Sequence, residues 1–190
     1  SFFPSKNLGA FGDGGALFTN DHSFGRRIAS LVNHGMRERY HYEHVGVNSR
    51  LDSLQAAILR IKLQHLDEYH RQRQLAAAWY DKSLGQLEGI QIPVRSPFST
   101  HIYHQYTLVL ENSRRDTLKQ YLQEKGIPSQ VYYPLPLHLQ GAYRDLGYLE
   151  GDLPVSEALC QRVLSLPMHT ELDQEQLEYI SEQVQEFFKS

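Results

Sequence analysis

A chain of 190 residues with 41% apolar side chains and 13 glycines is about 48% apolar on the count that includes glycine, the ordinary value for a folded chain, which excludes disorder as the main state. Nineteen Lys and Arg against 22 Asp and Glu leave a formal charge of −3, so no basic surplus exists to neutralise a nucleic acid or hold an anionic membrane. The single cysteine, Cys160, provides neither an internal disulfide nor a thiolate cluster, which points to the cytosol. No apolar run approaches the ~20 residues needed to cross a bilayer. The chain opens on Ser1-Phe2-Phe3-Pro4-Ser5-Lys6, without an initiator Met or a signal-peptide stretch, and reads as a cut inside a longer chain.

In chain order, Gly9, Gly12, Gly14 and Gly15 around Asp13 precede the apolar run Ala16-Leu17-Phe18-Thr19, a pattern that predicts a tight loop feeding a buried strand. Asn20 or Asp21 can cap a helix that buries Phe24, Ile28 and Leu31 or Val32 and stops near His34-Gly35. Residues 36–48, with Tyr40, His41, Tyr42 and His44, carry too many rings for a linker and read as an ordered loop. From Arg50 to about Leu84 apolar positions recur at three or four with no Gly or Pro, which predicts one helix of roughly 50 Å ended by Gly85 and Gly89. The remainder alternates: a strand over 105–110, a helix over 114–125 closed by Gly126, a strand over 130–133, then Pro134 and Pro136. Helices over 154–164 and 173–188 follow, separated by Leu166-Pro167. The fold class expected is α/β, passing into a compact α+β lobe, with residues 1–84 and 85–190 as the two domains.

Lys6 stands between turn-forming residues and the glycine-rich run, where its amine can be held out of a helix face and point into a cleft. By pattern alone it is either a solvated surface lysine or an amine able to form an imine with an aldehyde once partly buried. The pairs His41/His44 and His101/His104 have a spacing that could ligate a metal on a helix, yet neither falls in an expected helix and no Cys or carboxylate cluster supports them. Gly12-Asp13-Gly14-Gly15 lacks both the Walker spacing and the GxGxxG pattern, which leaves a tight turn as its reading.

Several motifs stand in one order along the chain: Ser1-Phe2-Phe3-Pro4-Ser5-Lys6-Asn7-Leu8-Gly9, Gly12-Asp13-Gly14-Gly15-Ala16, and Gly46-Val47-Asn48-Ser49-Arg50-Leu51-Asp52 with Gln55-Ala56-Ala57. They continue through His101-Ile102-Tyr103-His104-Gln105-Tyr106, Tyr132-Tyr133-Pro134, Pro136-Leu137-His138 and Leu164-Ser165-Leu166-Pro167-Met168-His169. Together they resemble the DegT/DnrJ/EryC1/StrS family, the fold-type I pyridoxal phosphate aminotransferases of nucleotide sugars. The resemblance implies the end of the family's large, cofactor-binding domain followed by a small α+β domain. It also implies that the first strands of the large domain, with the acidic partner of the cofactor ring, precede Ser1.

Carried over by position, the resemblance makes Lys6 the catalytic lysine that bonds pyridoxal 5'-phosphate. Ser1 matches a serine on the cofactor phosphate, and Asn48 an asparagine that reaches that phosphate from the neighbouring subunit. Arg50 lies near the substrate across the interface, while His104, Tyr132 and Tyr133 approach the sugar nucleotide. A hydroxyl and an amide donor suit a phosphate, and a guanidinium suits a diphosphate or carboxylate. Helix capping and a surface ion pair for Asn48 and Arg50, and core packing for the aromatic residues, are the bland alternatives.

The function this implies is transfer of an amino group from an amino acid, glutamate in most of the family, to a UDP- or dTDP-linked keto sugar for surface polysaccharides or related amino sugars. The Phe-Phe-Pro-Ser-Lys-Asn-Leu-Gly form resembles members that aminate C3. The expected assembly is a cytoplasmic homodimer with shared sites, no metal and neither nucleic acid nor membrane as partner. Lys6 argues against the dehydratases of the family, which replace this lysine with histidine. A regulatory or binding protein on the same scaffold, without turnover, is the alternative from another class.

Overall fold

The computed structural model describes residues 1–111 and 114–189. Two compact units divide the chain, Ser1–Glu68 and Tyr69–Ser190, and each mixes helix with strand as an α/β chain should.

In the first unit, α1 (His22–Leu31) begins where Asp21 accepts from the backbone N–H groups of Ser23 and Phe24, the expected N-cap. It ends before His34 and Gly35, both at positive φ. Gly35 is obligatory there, because a Cβ would lie 1.7 Å from the His44 carbonyl oxygen. Phe24 does not bury as expected and is 54% exposed. Inside the stretch read as a loop, β1 (Met36–Glu38) and β2 (His41–Tyr42) form a small antiparallel hairpin. A bridge between Asn33 and Asn48 closes its base. The strand predicted at 16–19 does not form: Leu17 is 75% and Phe18 92% exposed. A strand needs a neighbour for its N–H and C=O groups, and no strand among the described residues pairs with this run.

The single long helix predicted after Arg50 is two helices, α2 (Ser53–Leu63) and α3 (Leu66–Leu84). At the break Gln64 N–H donates to Ile61 and His65 N–H to Lys62, three-residue bonds that tighten the backbone without glycine or proline, so apolar periodicity alone could not reveal them. Asp52 caps α2 through Gln55 N–H. The expected boundary at 84/85 differs from the division at Glu68/Tyr69, since Ala76, Ala77, Tyr80 and Leu84 of α3 sit in the core of the second unit.

The second unit is built on an antiparallel sheet of β3 (Ile90–Gln91), β4 (Tyr106–Leu110) and β5 (Val163–Leu166), with β4 central. Tyr106, Leu108 and Leu110 alternate into the core. On the other face Thr107 and Ser165 share a hydroxyl hydrogen bond of 2.8 Å. Here α4 (Arg115–Glu124) ends as expected at Gly126, where Ile127 N–H bonds Leu122 O and Gly126 N–H bonds Gln123 O, the paired closure that favours glycine in the left-handed region. The helix predicted over 154–164 stops earlier, as α5 (Pro154–Arg162), and its last two positions begin β5 instead. All four residues of β5 are buried, and a short apolar run of that kind has no periodicity to distinguish strand from helix.

The strand predicted over 130–133 reduces to one bridge, Gln130 to Ser165, because the chain turns away toward Pro134 and Pro136, which lack the N–H a ladder needs. The final helix, α6 (Gln174–Lys189), starts with reciprocal bonds between Asp173 and Gln176, a capping box. It supplies Leu177, Ile180 and Val184 to the core. No helix among the described residues is long and apolar enough to cross a membrane.

Candidate functional site

Lys6 sits at the end of a four-residue turn, its N–H donating to Phe3 O at 2.9 Å. The turn belongs to a closed loop: Phe2 N–H bonds Gly14 O at 2.8 Å, and Ala10 N–H bonds Phe2 O at 2.7 Å. Gly9 lets the two sides of this loop meet, since a Cβ there would lie 2.3 Å from Pro4 O. One face of α2 holds the far side. Gln55 Oε1 accepts from Phe11 N–H at 2.8 Å, and Lys62 Nζ donates to Gly9 O at 2.6 Å. Lys6 is half-buried. Ser1 is exposed, with its Oγ accepting from Phe3 N–H at 3.4 Å.

Asn48 and Arg50 come together. Arg50 Nε donates to Asn48 Oδ1 at 2.9 Å, with both side chains exposed. Because that bond occupies the amide oxygen, the donor end of the Asn48 amide is left for an acceptor such as a phosphate. Sequence reading named both residues but not this bond. It also passed over Gln55 and Lys62 as supports of the Lys6 loop, although their seven-residue spacing puts them on one helix face.

In the second unit His104 is half-buried just before β4, while Tyr132 and Tyr133 are exposed, with rings in edge contact at 5.4 Å. Arg73 was not anticipated. It is buried, and its Nη1 donates to Tyr103 O, His104 O and Met168 O at 3.2, 3.3 and 2.9 Å. Burial lowers its pKa, with Glu171 opposing that shift. The available signal was an arginine on an otherwise apolar helix stripe, which usually marks a paired buried charge. Near the same core Tyr106 Oη donates to Asp81 Oδ1 at 2.7 Å. Burial and that carboxylate push the phenol well above its ordinary range, so it remains a neutral donor.

His138 is also buried, its Nε2 2.8 Å from Glu157 Oε1. Glu157 in turn accepts from the backbone N–H groups of Gly151 and Leu153. Among the described residues no group of three or more His, Cys, Asp or Glu is placed to hold a metal ion. His41 lies in β2 and not on a helix.

Comparison with known proteins defines the class of this mixed helix-and-strand chain. The DegT/DnrJ/EryC1/StrS aminotransferase family matches residues 1–185. The chain belongs to that family. It is 46% identical over 173 residues to the UDP-2-acetamido-2-deoxy-3-oxo-D-glucuronate aminotransferase of Pseudomonas aeruginosa, covering 91% of this chain and 46% of that one. It is 44% identical to the "Pleiotropic regulatory protein" of Geobacillus stearothermophilus, covering 100% of this chain and 51% of the relative. Among solved structures, S. venezuelae DesV in complex with a ketimine intermediate superposes with a TM-score of 0.91 at 42% identity, over 100% of this chain and 50% of that one. The chain thus spans about half the length of the curated relatives it matches.

Proposed function

We propose that the protein carrying this chain is a pyridoxal 5'-phosphate-dependent aminotransferase. It moves the amino group of an amino acid, L-glutamate, to the C3 keto group of a UDP- or dTDP-linked sugar destined for surface polysaccharide or a related amino sugar. The observation that carries this reading is Lys6, half-buried on a turn whose loop is hydrogen-bonded at both ends, in a chain of a family described as aminotransferases. The P. aeruginosa relative, named for a 3-oxo-glucuronate substrate, supports the sugar class. In this reading residues 1–84 are the end of the fold-type I large domain and 85–190 the small α+β domain, and the active form is a cytoplasmic homodimer.

The residues present suit such a cofactor by the chemistry of their donors. The Ser1 hydroxyl and the Asn48 amide can donate to a phosphate, and Arg50 both orients Asn48 and offers a fork for an anionic substrate group. When bound, the cofactor supplies the electron sink for breaking bonds at the amino carbon. Lys6 is the residue that would hold it, through Nζ, and the same amine would serve to move a proton at the reacting carbon. Asn48 serves the site of the partner subunit. His104, Tyr132 and Tyr133 contact the nucleotide sugar, the tyrosines through ring faces and hydroxyls.

Borohydride reduction of the full-length protein, followed by peptide mapping, tests the assignment. A phosphopyridoxyl adduct on Lys6 is expected, and an adduct on Lys62 or none in folded protein would overturn it. A regulatory protein on the same scaffold is the second reading, favoured by the name of the G. stearothermophilus relative. It predicts no turnover of any keto sugar nucleotide with Lys6 intact.

A further inference from the structure

Two loops lie side by side at one end of the sheet in the second unit. Residues 101–105 lead into β4 and residues 167–169 leave β5, at the point where Tyr106 and Leu166 are partners. Helix α3 grips both loops. Arg73 Nη1 donates to the carbonyls of Tyr103, His104 and Met168, Gln74 Nε2 donates to His101 O at 2.9 Å, and Tyr80 Oη donates to Pro167 O at 3.0 Å.

Two costs are concentrated here. Arg73 is only 7% exposed, and a buried guanidinium is tolerated only where carbonyl or carboxylate oxygens replace its water. Tyr103 holds φ at +44°, a left-handed conformation unfavourable for a bulky residue. Its N–H is taken by His101 Nδ1 at 2.9 Å, and the two rings stack at 4.3 Å. The twist therefore makes a compact knot immediately before His104. Backbone held in an unfavourable conformation by a buried charge is the mark of a segment whose placement matters to something beyond the core.

We infer that Arg73 is a positioning residue: by clamping the carbonyls of Tyr103 and His104 against Met168, it fixes His104 for contact with the nucleotide sugar. The inference rests on the function proposed above, in which His104 touches that substrate. It assigns to Arg73 no contact with substrate or cofactor, and it places the specificity for the sugar nucleotide partly in a backbone clamp.

A double-mutant cycle in the full-length enzyme tests it, with glutamate saturating and a 3-keto UDP-sugar varied. Arg73→Lys keeps the charge but loses the planar fork, and it should lower kcat/KM for the sugar nucleotide about tenfold, chiefly through KM. In a His104→Ala background the same change should cost no more than about twofold, because the group being positioned is gone. An undiminished loss in that background, or a KM in Arg73→Lys equal to wild type, overturns the assignment. Should Arg73→Lys fail to fold by circular dichroism, Gln74→Ala, which removes the exposed bond to His101 O, carries the same cycle. It should lower kcat/KM about threefold by KM, a loss that vanishes when His104 is absent, and no loss or an undiminished one overturns the inference. A wild-type enzyme inactive on every keto sugar nucleotide overturns the proposed function, and the positioning role with it, whereas an active wild type with an additive cycle overturns the role of Arg73 alone.

Discussion

The two units are stabilised differently. In the first, Ala10 and Leu59 are the buried apolar side chains, while Leu17, Phe18, Val45 and Ile61 stand exposed. The second holds the whole contiguous hydrophobic cluster, from Ala76 through Tyr106 and Leu164 to Val184. The Lys6 loop is accordingly shaped by backbone hydrogen bonds and by Gln55 and Lys62, whereas the His104 segment is anchored on a packed sheet. Under the proposed function, an amine on a lightly buried scaffold could change its contacts during turnover, while a substrate-contacting segment would gain more from rigidity. The units therefore differ in which substitutions should destroy chemistry and which should destroy the fold.

The largest expected effect tests the chemistry of the first unit. Lys6→Ala, which removes the amine, and Lys6→Arg, whose guanidinium stays protonated and cannot serve as the nucleophile, should each reduce transamination by the full-length enzyme to background while leaving the thermal unfolding of the cofactor-free protein unchanged. Turnover with glutamate, followed beside a calorimetric scan, makes this check, and activity surviving in Lys6→Arg would remove Lys6 from the chemistry.

Next comes the sharing of sites between subunits. Asn48→Ala and Lys6→Ala enzymes, each weak or dead alone, should regain about a quarter of wild-type activity after random subunit exchange, since half the dimers are then mixed and each has one intact site. No recovery, with exchange verified by mass spectrometry, would place Asn48 and Lys6 in the same subunit's site.

The contrast in packing is sharpened by a pair of truncations measured by denaturant unfolding of this chain. Leu164→Ala, at a fully buried position, should cost about 2–5 kcal/mol. Phe18→Ala, at a position 92% exposed, should change stability by less than about 0.5 kcal/mol. Equal effects would mean that the packing contrast between the units does not govern stability. A smaller loss, about 1 kcal/mol, is expected for Gly126→Ala, because φ at Gly126 is +74° and a side chain there is strained even with open space around it.

The smallest effect is a pH dependence in the second unit. The N–H of Gly151, with help from His138 and the N–H of Leu153, holds the Glu157 carboxyl below the ordinary glutamate range. A depressed folded pKa contributes stability that is present above the unfolded value and lost as pH falls through the folded one. Glu157→Gln should therefore flatten the stability profile below pH 4.5 and leave its slope near neutrality unchanged. A wild-type profile already flat in that acid window would show that the clasp contributes nothing.

Helix ends and the turns around them were readable from residues alone, because caps and left-handed glycines act through neighbours a few positions away: Asp21 for α1 and Gly126 for α4 are local chemistry. The turn that carries Lys6 was readable for the same reason, through the turn residues and glycines that flank it. The division of residues 50–84 was not, since the two three-residue bonds at Gln64 and His65 leave no mark in an apolar period of three or four. Nor was the strand character of Val163 and Leu164, which depends on lying beside β4, or the exposure of Leu17 and Phe18, which depends on which chain segment lies beside them. Arg73 shows the division most clearly. The sequence by itself determined that a guanidinium would fall on the inner stripe of α3, because helical spacing is local. Only the tertiary structure decided that carbonyls from residues 103, 104 and 168 would converge on it, since strand pairing between β4 and β5 is what brings those loops to one place.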